Sequence, residues 1–167
     1  MLTVMELKKA LQELADEIYD TVKQRIDDYG FNPRAGKNTL KGSDLEKSLK
    51  VNPTENGVVL SINPYWEFIS RGWKRTGNYN GTFGQFLANV SDWVDKKGIT
   101  WGNMTNNAIT WKIVMNIWNN GIISRPFLIY SDSGDLSEML PELETIFQDW
   151  SETIFNELMN EIKLFNK

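Results

Sequence analysis

The residues best suited to chemistry are three neighbouring carboxylates, Asp132, Asp135 and Glu138. Carboxylates this close together could hold a calcium ion or act as a general acid and base, although the spacing does not match an EF-hand loop. Acidic side chains that precede a helix also cap it by accepting hydrogen bonds from its first amide groups. We therefore expect these residues to cap a helix, and we predict no metal site.

The chain contains no histidine and no cysteine. It lacks the side chain most often used as acid or base near neutral pH, the thiolate nucleophile and the usual zinc ligands. It has no glycine-rich phosphate motif and no nucleophile elbow. A glycosidase that works with carboxylates alone stays open as an enzymatic alternative. We predict a protein that is not an enzyme and has no catalytic residues and no cofactor.

The densest basic cluster surrounds a tryptophan, with Arg71, Lys74 and Arg75 beside Trp73. These residues belong to the glycine-rich stretch 71–84, which predicts a long exposed loop. Arginine and aromatic residues are favoured at interface hot spots, whereas a solvated charged loop is the simpler interpretation. As a functional patch, the cluster would meet an acidic protein ring or a DNA backbone.

The seven tryptophans could also stack on sugars or on single-stranded bases. Three of them fall on apolar helix stripes and are expected in the core: Trp93, Trp118 and Trp150. Trp66 lies in an apolar segment, while Trp73 and Trp101 stand beside glycine. The alternative that these rings leave open is a carbohydrate- or receptor-binding module that grips sugars with exposed tryptophans and Asn-rich loops.

The composition favours one domain without a nucleic-acid or membrane partner of its own. A chain of 167 residues with 41% hydrophobic residues can bury one sizeable core. A net charge of -4 and a pI near 5.0 argue against a dedicated DNA-binding module. The charged, helical pattern at the N-terminus predicts neither a secretion signal nor a transit peptide. No apolar run reaches membrane-spanning length, so we expect a soluble protein.

The helices are predicted from apolar residues spaced three and four apart. The first begins with capping-box spacing at Thr3 and Glu6 and ends at Gly30, where a left-handed stop is expected. An exposed loop follows. Two amphipathic helices are predicted within residues 82–120, and residues 137–166 carry the helical spacing of a long C-terminal helix.

The strands are predicted from alternation and turn signals. Asn56-Gly57 separates two alternating segments, which predicts an antiparallel hairpin. The apolar segment 65–70 follows closely and predicts a third strand. Residues 122–131 are rich in branched and aromatic side chains and contain one proline, which suits a last strand at a sheet edge.

Together these signals predict a single α+β domain over residues 1–167. A small antiparallel sheet of about four strands packs with a long N-terminal helix, two middle helices and a long C-terminal helix. The predicted elements are an N-terminal helix at 1–30, a hairpin and third strand at 43–73, a two-helix insertion at 82–120, a last strand at 122–131 and a C-terminal helix at 137–166.

Several short motifs follow one another in a specific order. They are Gly42-Ser43-Asp44-Leu45-Glu46-Lys47-Ser48-Leu49, Tyr65-Trp66-Glu67-Phe68-Ile69-Ser70-Arg71-Gly72, Trp93-Val94-Asp95-Lys96-Lys97-Gly98-Ile99, Asn120-Gly121-Ile122-Ile123 and Arg125-Pro126-Phe127-Leu128. In this order, over about residues 5–130, they resemble the tail-completion and head-tail joining proteins of tailed bacteriophages. That family is related to the minor tail component of lambdoid and similar siphophages.

The resemblance implies a structural virion protein in the neck or tail, made in the cytoplasm of the host bacterium. It implies a homo-oligomeric ring that joins portal or adaptor proteins to the tail, with non-specific proximity to DNA in the channel. A ring subunit needs two different faces, for which the loop at 71–84 and the edge strand would serve. The interface candidates are Trp66, Arg71, Trp73, Lys74, Arg75, Tyr79, Arg125 and Phe127.

Overall fold

In a computed structural model of the chain, residues 3–75 and 81–165 are described, with side chains up to residue 156. The fold of these residues is α+β, as predicted. Its helices are α1 (Val4–Tyr29), α2 (Asp44–Ser48), α3 (Trp66–Arg71), α4 (Phe83–Lys97), α5 (Asn106–Asn120), α6 (Leu136–Met139) and α7 (Leu143–Phe165). Its strands are β1 (Phe31–Asn32), β2 (Lys37–Asn38), β3 (Lys50–Pro53) and β4 (Val58–Ser61). Among the helices of this described part, none is long and apolar enough to cross a membrane.

The first helix, α1, has the predicted capping box and the predicted length. Thr3 accepts a hydrogen bond from the amide of Glu6, whose carboxylate accepts one from the amide of Thr3. The end of α1 differs from the prediction, because Gly30 has right-handed dihedral angles (φ -74°, ψ -6°). Glycine is required there for space. An added Cβ would lie 2.4 Å from the carbonyl oxygen of Ile26 and 2.2 Å from the side chain of Asn38.

The strands form two separate antiparallel hairpins in the described residues, where about four strands in one sheet were predicted. The hairpin β3–β4 is confirmed, and its register pairs Lys50 with Ser61 and Pro53 with Val58. The second hairpin, β1–β2, occupies part of the segment that was predicted as an exposed loop.

The predicted third strand at 65–70 is wrong, because this segment forms the helix α3. Asn63 and Pro64 begin a helical turn in which the amide of Trp66 donates to the carbonyl oxygen of Asn63. Proline favours the first turn of a helix, since its fixed φ suits the helix and its missing N–H would have no partner there. The side chain of Trp66 consequently points into the core.

The predicted last strand at 122–131 is also wrong. Only Ile122 pairs with another extended segment in the described residues, through a single bridge to Trp73. Further along, the guanidinium of Arg25 donates to the carbonyl oxygens of Pro126 and Phe127. A side chain therefore satisfies backbone groups that a neighbouring strand was expected to satisfy.

The predicted C-terminal helix is divided into α6 and α7. Pro141 lies in the break between them, where the helical hydrogen-bonding pattern is interrupted. Trp150 of α7 is half-buried, and its indole Nε1 donates to the carbonyl oxygen of Ala10 at 2.8 Å. This bond joins α7 to α1.

The chain divides into two compact units. Unit 1 comprises Met1–Ser70 and Arg125–Lys167, and unit 2 comprises Arg71–Ser124. Each unit has its own apolar core. The core of unit 1 is centred on Ile18, Val22, Ile26, Leu40, Leu45, Leu49, Trp66, Phe127, Leu128 and Leu140. The smaller core of unit 2 is formed by Val90, Val94, Ile109 and Val114, with half-buried aromatic and aliphatic residues around them.

An ion pair holds α2 against α1 in unit 1. Lys23 donates to the carboxylate of Glu46, which also accepts a hydrogen bond from the amide of Gly42. The bond from Lys23 lowers the pKa of Glu46 below its usual 4.5, and the same bond raises the pKa of Lys23. Glu46 is buried, so this pair fixes the short helix that precedes the β3–β4 hairpin.

Candidate protein-interaction surface

Four of the predicted interface residues are buried. Trp66 and Phe127 belong to the core of unit 1, and Arg125 is buried in the same unit with its guanidinium donating to the hydroxyl of Thr39. Trp73 is buried in unit 2. A buried side chain presents no surface to a partner, so these four residues support the two units internally. The edge strand near Arg125 that was expected to pair with a neighbour is not formed.

Three predicted interface residues, Arg71, Lys74 and Arg75, are exposed in unit 2. Tyr79 lies outside the described residues. The exposed surface of unit 2 around Arg75 also includes an aromatic ring, that of Trp118.

Two glycines bring the ends of unit 2 together. Gly72 and Gly121 both have positive φ, and a Cβ at Gly121 would lie 2.3 Å from the carbonyl oxygen of Trp73. Only glycine combines this left-handed backbone with such a close approach. Trp73 can then exchange two backbone hydrogen bonds with Ile122, at 2.9 and 2.7 Å. This bridge places the residues after Trp73 beside the end of α5.

Aromatic rings pack around this bridge. Trp73 stacks on Phe86 with ring centroids 5.1 Å apart, and both rings contact Trp118 of α5. Phe83 meets Trp118 edge to face at 4.9 Å and also contacts Trp111. Such pairs contribute about 0.5–1.5 kcal/mol each beyond the burial of their area. The cluster stabilises unit 2 and supports the rings that remain partly exposed.

The exposed side of this cluster is basic and aromatic. The guanidinium of Arg75 lies 5.7 Å from the ring centroid of Trp118. Beside them is a hollow of about 320 Å³, lined by Lys74, Arg75, Trp118, Asn119, Asn120 and Gly121. Trp111 and Met115 are each 42% exposed on the same helix. We call the surface formed by Arg75, Trp111, Lys112, Met115 and Trp118 the aromatic-basic face.

Sequence reasoning found Arg75 of this face and missed the α5 residues. Trp118 was predicted in the core, and it is half-buried. The signal that could have found the face is a second apolar row on α5, since Trp111, Met115 and Trp118 follow a spacing of four and three. This row is separate from the buried residues Ile109 and Val114.

The other tryptophans have mixed outcomes. Trp93 was predicted in the core and is exposed, because Val90 and Val94 supply the buried side of α4. Trp101 is exposed beside Gly102, as its place next to glycine suggested. Trp150 is half-buried against α1.

Of the three carboxylates that were expected to cap a helix, Asp135 does so, at the start of α6. Asp135 is the N-cap and accepts hydrogen bonds from the amide and hydroxyl of Ser137, which lower its pKa. Glu138 accepts hydrogen bonds from the hydroxyls of Ser131 and Ser133. In the described part of the chain, no group of three acidic residues has a geometry that could hold a metal ion.

Charge is distributed unequally between the units. Unit 2 contains six lysines and arginines and two acidic residues, a formal charge of +4. Unit 1 contains twelve basic and twenty acidic residues, a formal charge of -8. The net charge of -4 for the whole chain therefore conceals two units of opposite sign.

Comparisons of the chain with protein-family models, with curated proteins and with solved structures find no match.

Proposed function

We propose that this chain is a structural, non-catalytic subunit of the head-tail connector or tail-completion ring of a tailed bacteriophage. In this role it forms a homo-oligomeric ring in the neck or tail of the virion and joins portal-side proteins to the tail. It is made in the cytoplasm of the host bacterium. DNA passing through the channel would contact it without sequence specificity.

The observation that carries the proposal is the convergence of three separated motifs on one core. Leu45 and Leu49 come from the first motif, Trp66 from the second, and Phe127 and Leu128 from the last. These residues span more than half of the chain, and all of them are buried in unit 1. Motifs whose residues pack in one core have a structural role. Proteins that share a fold are expected to share such core residues in the same order.

Two further features of the motifs support the same interpretation. Gly72, which ends the second motif, has a positive φ and lies so close to residues 122–124 that a side chain would collide with them. Pro126 and Phe127 of the last motif offer their carbonyl oxygens to Arg25 of α1. These motif positions are thus explained by the demands of the backbone.

The test is an assembly experiment with the purified full-length chain. Mass photometry and light scattering across a range of concentrations, with negative-stain imaging, would measure its oligomeric state alone and with purified portal and tail components. We expect closed rings, or a monomer that joins those components. A monomer that ignores them and is retained on immobilised glycans would contradict the proposal and favour the carbohydrate-binding module.

A further inference from the structure

The aromatic-basic face has the composition of a protein interface. Trp111 and Met115 are exposed side by side, and Lys112 is the only charged residue of α5. Tryptophan, methionine and arginine are enriched in protein interfaces, whereas glutamate, aspartate and lysine are depleted at their centres. An exposed helix face with two large apolar side chains and no acidic residue is therefore more typical of a protein-binding surface than of one that stays in contact with solvent.

The hollow beside Trp118 defines the chemistry of that partner. Its wall is the indole ring of Trp118, and two cations, Lys74 and Arg75, line it. A volume of about 320 Å³ is large enough for a phenyl side chain. A suitable partner presents an exposed aromatic side chain with carboxylates close to it.

The chain itself carries such a surface on α7 of unit 1. Phe147 and Phe155 are 54% and 62% exposed and lie eight residues apart, or about 12 Å along the helix. Glu144 and Glu152 are also exposed, and each precedes one of these phenylalanines by three residues, so it lies beside that ring on the helix surface. We call these four residues the aromatic-acidic stripe.

The charges of the units favour the same pairing. Between two copies, units of opposite sign meet when unit 2 of one copy, with a formal charge of +4, approaches unit 1 of the other, with a formal charge of -8. Complementary charge speeds such an encounter and fixes its orientation. The contact joins two different faces, so repetition of it produces a closed ring or a filament.

Duplex DNA is a weaker candidate for the same face. Tight DNA binding depends on many phosphate contacts, each made by a lysine or an arginine. The aromatic-basic face and its hollow contain three cations, Lys74, Arg75 and Lys112, and the exposed rings between them are apolar. These features therefore favour a protein partner over duplex DNA.

We propose that the aromatic-basic face of one copy docks on the aromatic-acidic stripe of a second copy. One phenylalanine of the stripe enters the hollow beside Trp118, and Glu144 and Glu152 face the cations around it. The proposal rests on the proposed ring, for which it supplies the two faces.

Charge reversal tests the pairing in the full-length chain. One variant carries Arg75→Glu and Lys112→Glu in the face, and a second carries Glu144→Lys and Glu152→Lys in the stripe. We expect each variant alone to self-associate at least about tenfold more weakly, because like charges then meet across the contact. We expect a 1:1 mixture to co-assemble with the two variants alternating, since both contacts between unlike chains then pair opposite charges. A chain with all four substitutions should regain self-association.

Matched controls separate this contact from general charge effects and from misfolding. Lys96→Glu with Lys97→Glu, at the C-terminal end of α4, changes the charge of unit 2 by the same amount as the face variant. Glu17→Lys with Asp20→Lys, on α1, changes the charge of unit 1 by the same amount as the stripe variant. We expect both controls to assemble normally. Trp111→Ala leaves the charge unchanged and should weaken association as the face variant does. Circular dichroism melting confirms that each variant is folded.

The outcomes distinguish failure of the pairing from failure of the proposed function. Normal rings from the face and stripe variants would overturn the pairing and leave the ring proposal standing. A monomer that joins purified portal or tail components would also overturn the pairing. Loss of duplex DNA binding in the face variant, with self-association intact, would assign the face to DNA. A chain that neither self-associates nor joins those components would overturn both proposals.

Discussion

Unit 1 and unit 2 each contain an extended segment outside any regular sheet, and they satisfy its backbone by different means. In unit 1 the carbonyl oxygens of Pro126 and Phe127 accept hydrogen bonds from the guanidinium of Arg25, at 3.1 and 2.6 Å. In unit 2 the segment at Trp73 exchanges backbone bonds with Ile122 and is covered by aromatic rings. The acidic unit thus depends on a buried cation, and the basic unit depends on close backbone approach and ring packing.

The contrast between two buried arginines makes the first mechanism clearer. Arg25 and Arg125 are each 8% exposed. Arg25 bonds two carbonyl oxygens, forms a 2.7 Å ion pair with Glu142 and lies over the ring of Tyr29. The guanidinium of Arg125 bonds Thr39, while its Nε has no hydrogen-bond partner in the described residues, and burial lowers the pKa of its guanidinium. The two arginines are equally buried, so their different bonding partners predict unequal contributions to stability.

The largest expected effect comes from the core of unit 1. Phe127→Ala removes a fully buried ring and should lower the free energy of unfolding of unit 1 by about 3–5 kcal/mol. Val114→Ala in the smaller core of unit 2 removes two carbons and should cost about 2 kcal/mol. Hydrogen exchange with mass spectrometry measures each unit separately. We expect Phe127→Ala to accelerate exchange in α1 and to leave α5 unchanged; equal acceleration in both would mean that the units unfold together.

The second effect compares the two arginines. Arg25→Met should lower the free energy of unfolding by about 2–4 kcal/mol, because two buried carbonyl oxygens lose their donor. Arg125→Met should cost less than about 1 kcal/mol, since it replaces a poorly paired buried cation with an apolar side chain of similar volume. Urea unfolding of both variants measures the difference. Equal losses would show that burial alone, and not the bonding partners, sets the contribution of these residues.

The helices were predicted well because their signals are local. The capping box predicted at Thr3 and Glu6 forms, and Thr82 and Gln85, which have the same spacing of three, form a second one. Gly98 ends α4 with a left-handed backbone, and α5 ends before Gly121. Gly30 shows the limit of such signals. Glycine is needed there to make room for Asn38, eight residues further on, and the sequence signal for a left-handed stop did not distinguish this cause.

The strands at 65–70 and 122–131 were predicted wrongly because their outcome depends on distant partners. Alternating apolar residues are compatible with a strand, but a strand needs a neighbour for its backbone. For the carbonyl oxygen of Phe127 the partner is the side chain of Arg25, 102 positions away, and no local sequence pattern indicates such a bond.

The candidate surface was partly predictable. Lys74 and Arg75 were expected to be exposed from their charge and their glycine-rich surroundings, and they are. Trp73 was expected with them and is buried, because Gly72 and Gly121 allow a close backbone approach that composition does not reveal. Whether an aromatic residue of α5 lies in the core or on the surface depends on which row faces α4, and that is decided by packing.

The smallest expected effect compares the two capping boxes. In unit 1 the returning side chain is a carboxylate, Glu6, and in unit 2 it is the uncharged Gln85. The hydrogen bond from the amide of Thr3 lowers the pKa of Glu6 below 4.5. The folded state therefore holds the Glu6 proton less tightly than the unfolded state. The stabilisation from this cap is present above pH 4.5 and is lost as the pH falls through the lowered pKa.

An NMR titration of the side-chain carboxyl carbon of Glu6 between pH 2 and 7 measures this pKa directly. Amide shifts in the first turn of α1 should follow the same titration, whereas those in the first turn of α4 should not, because Gln85 does not ionise. Glu6→Gln is the matched control, since it gives α1 the same uncharged cap that α4 has. A Glu6 pKa at or above 4.5, or an acid transition that persists in Glu6→Gln, would show that the charged cap does not distinguish the first helix of unit 1 from that of unit 2.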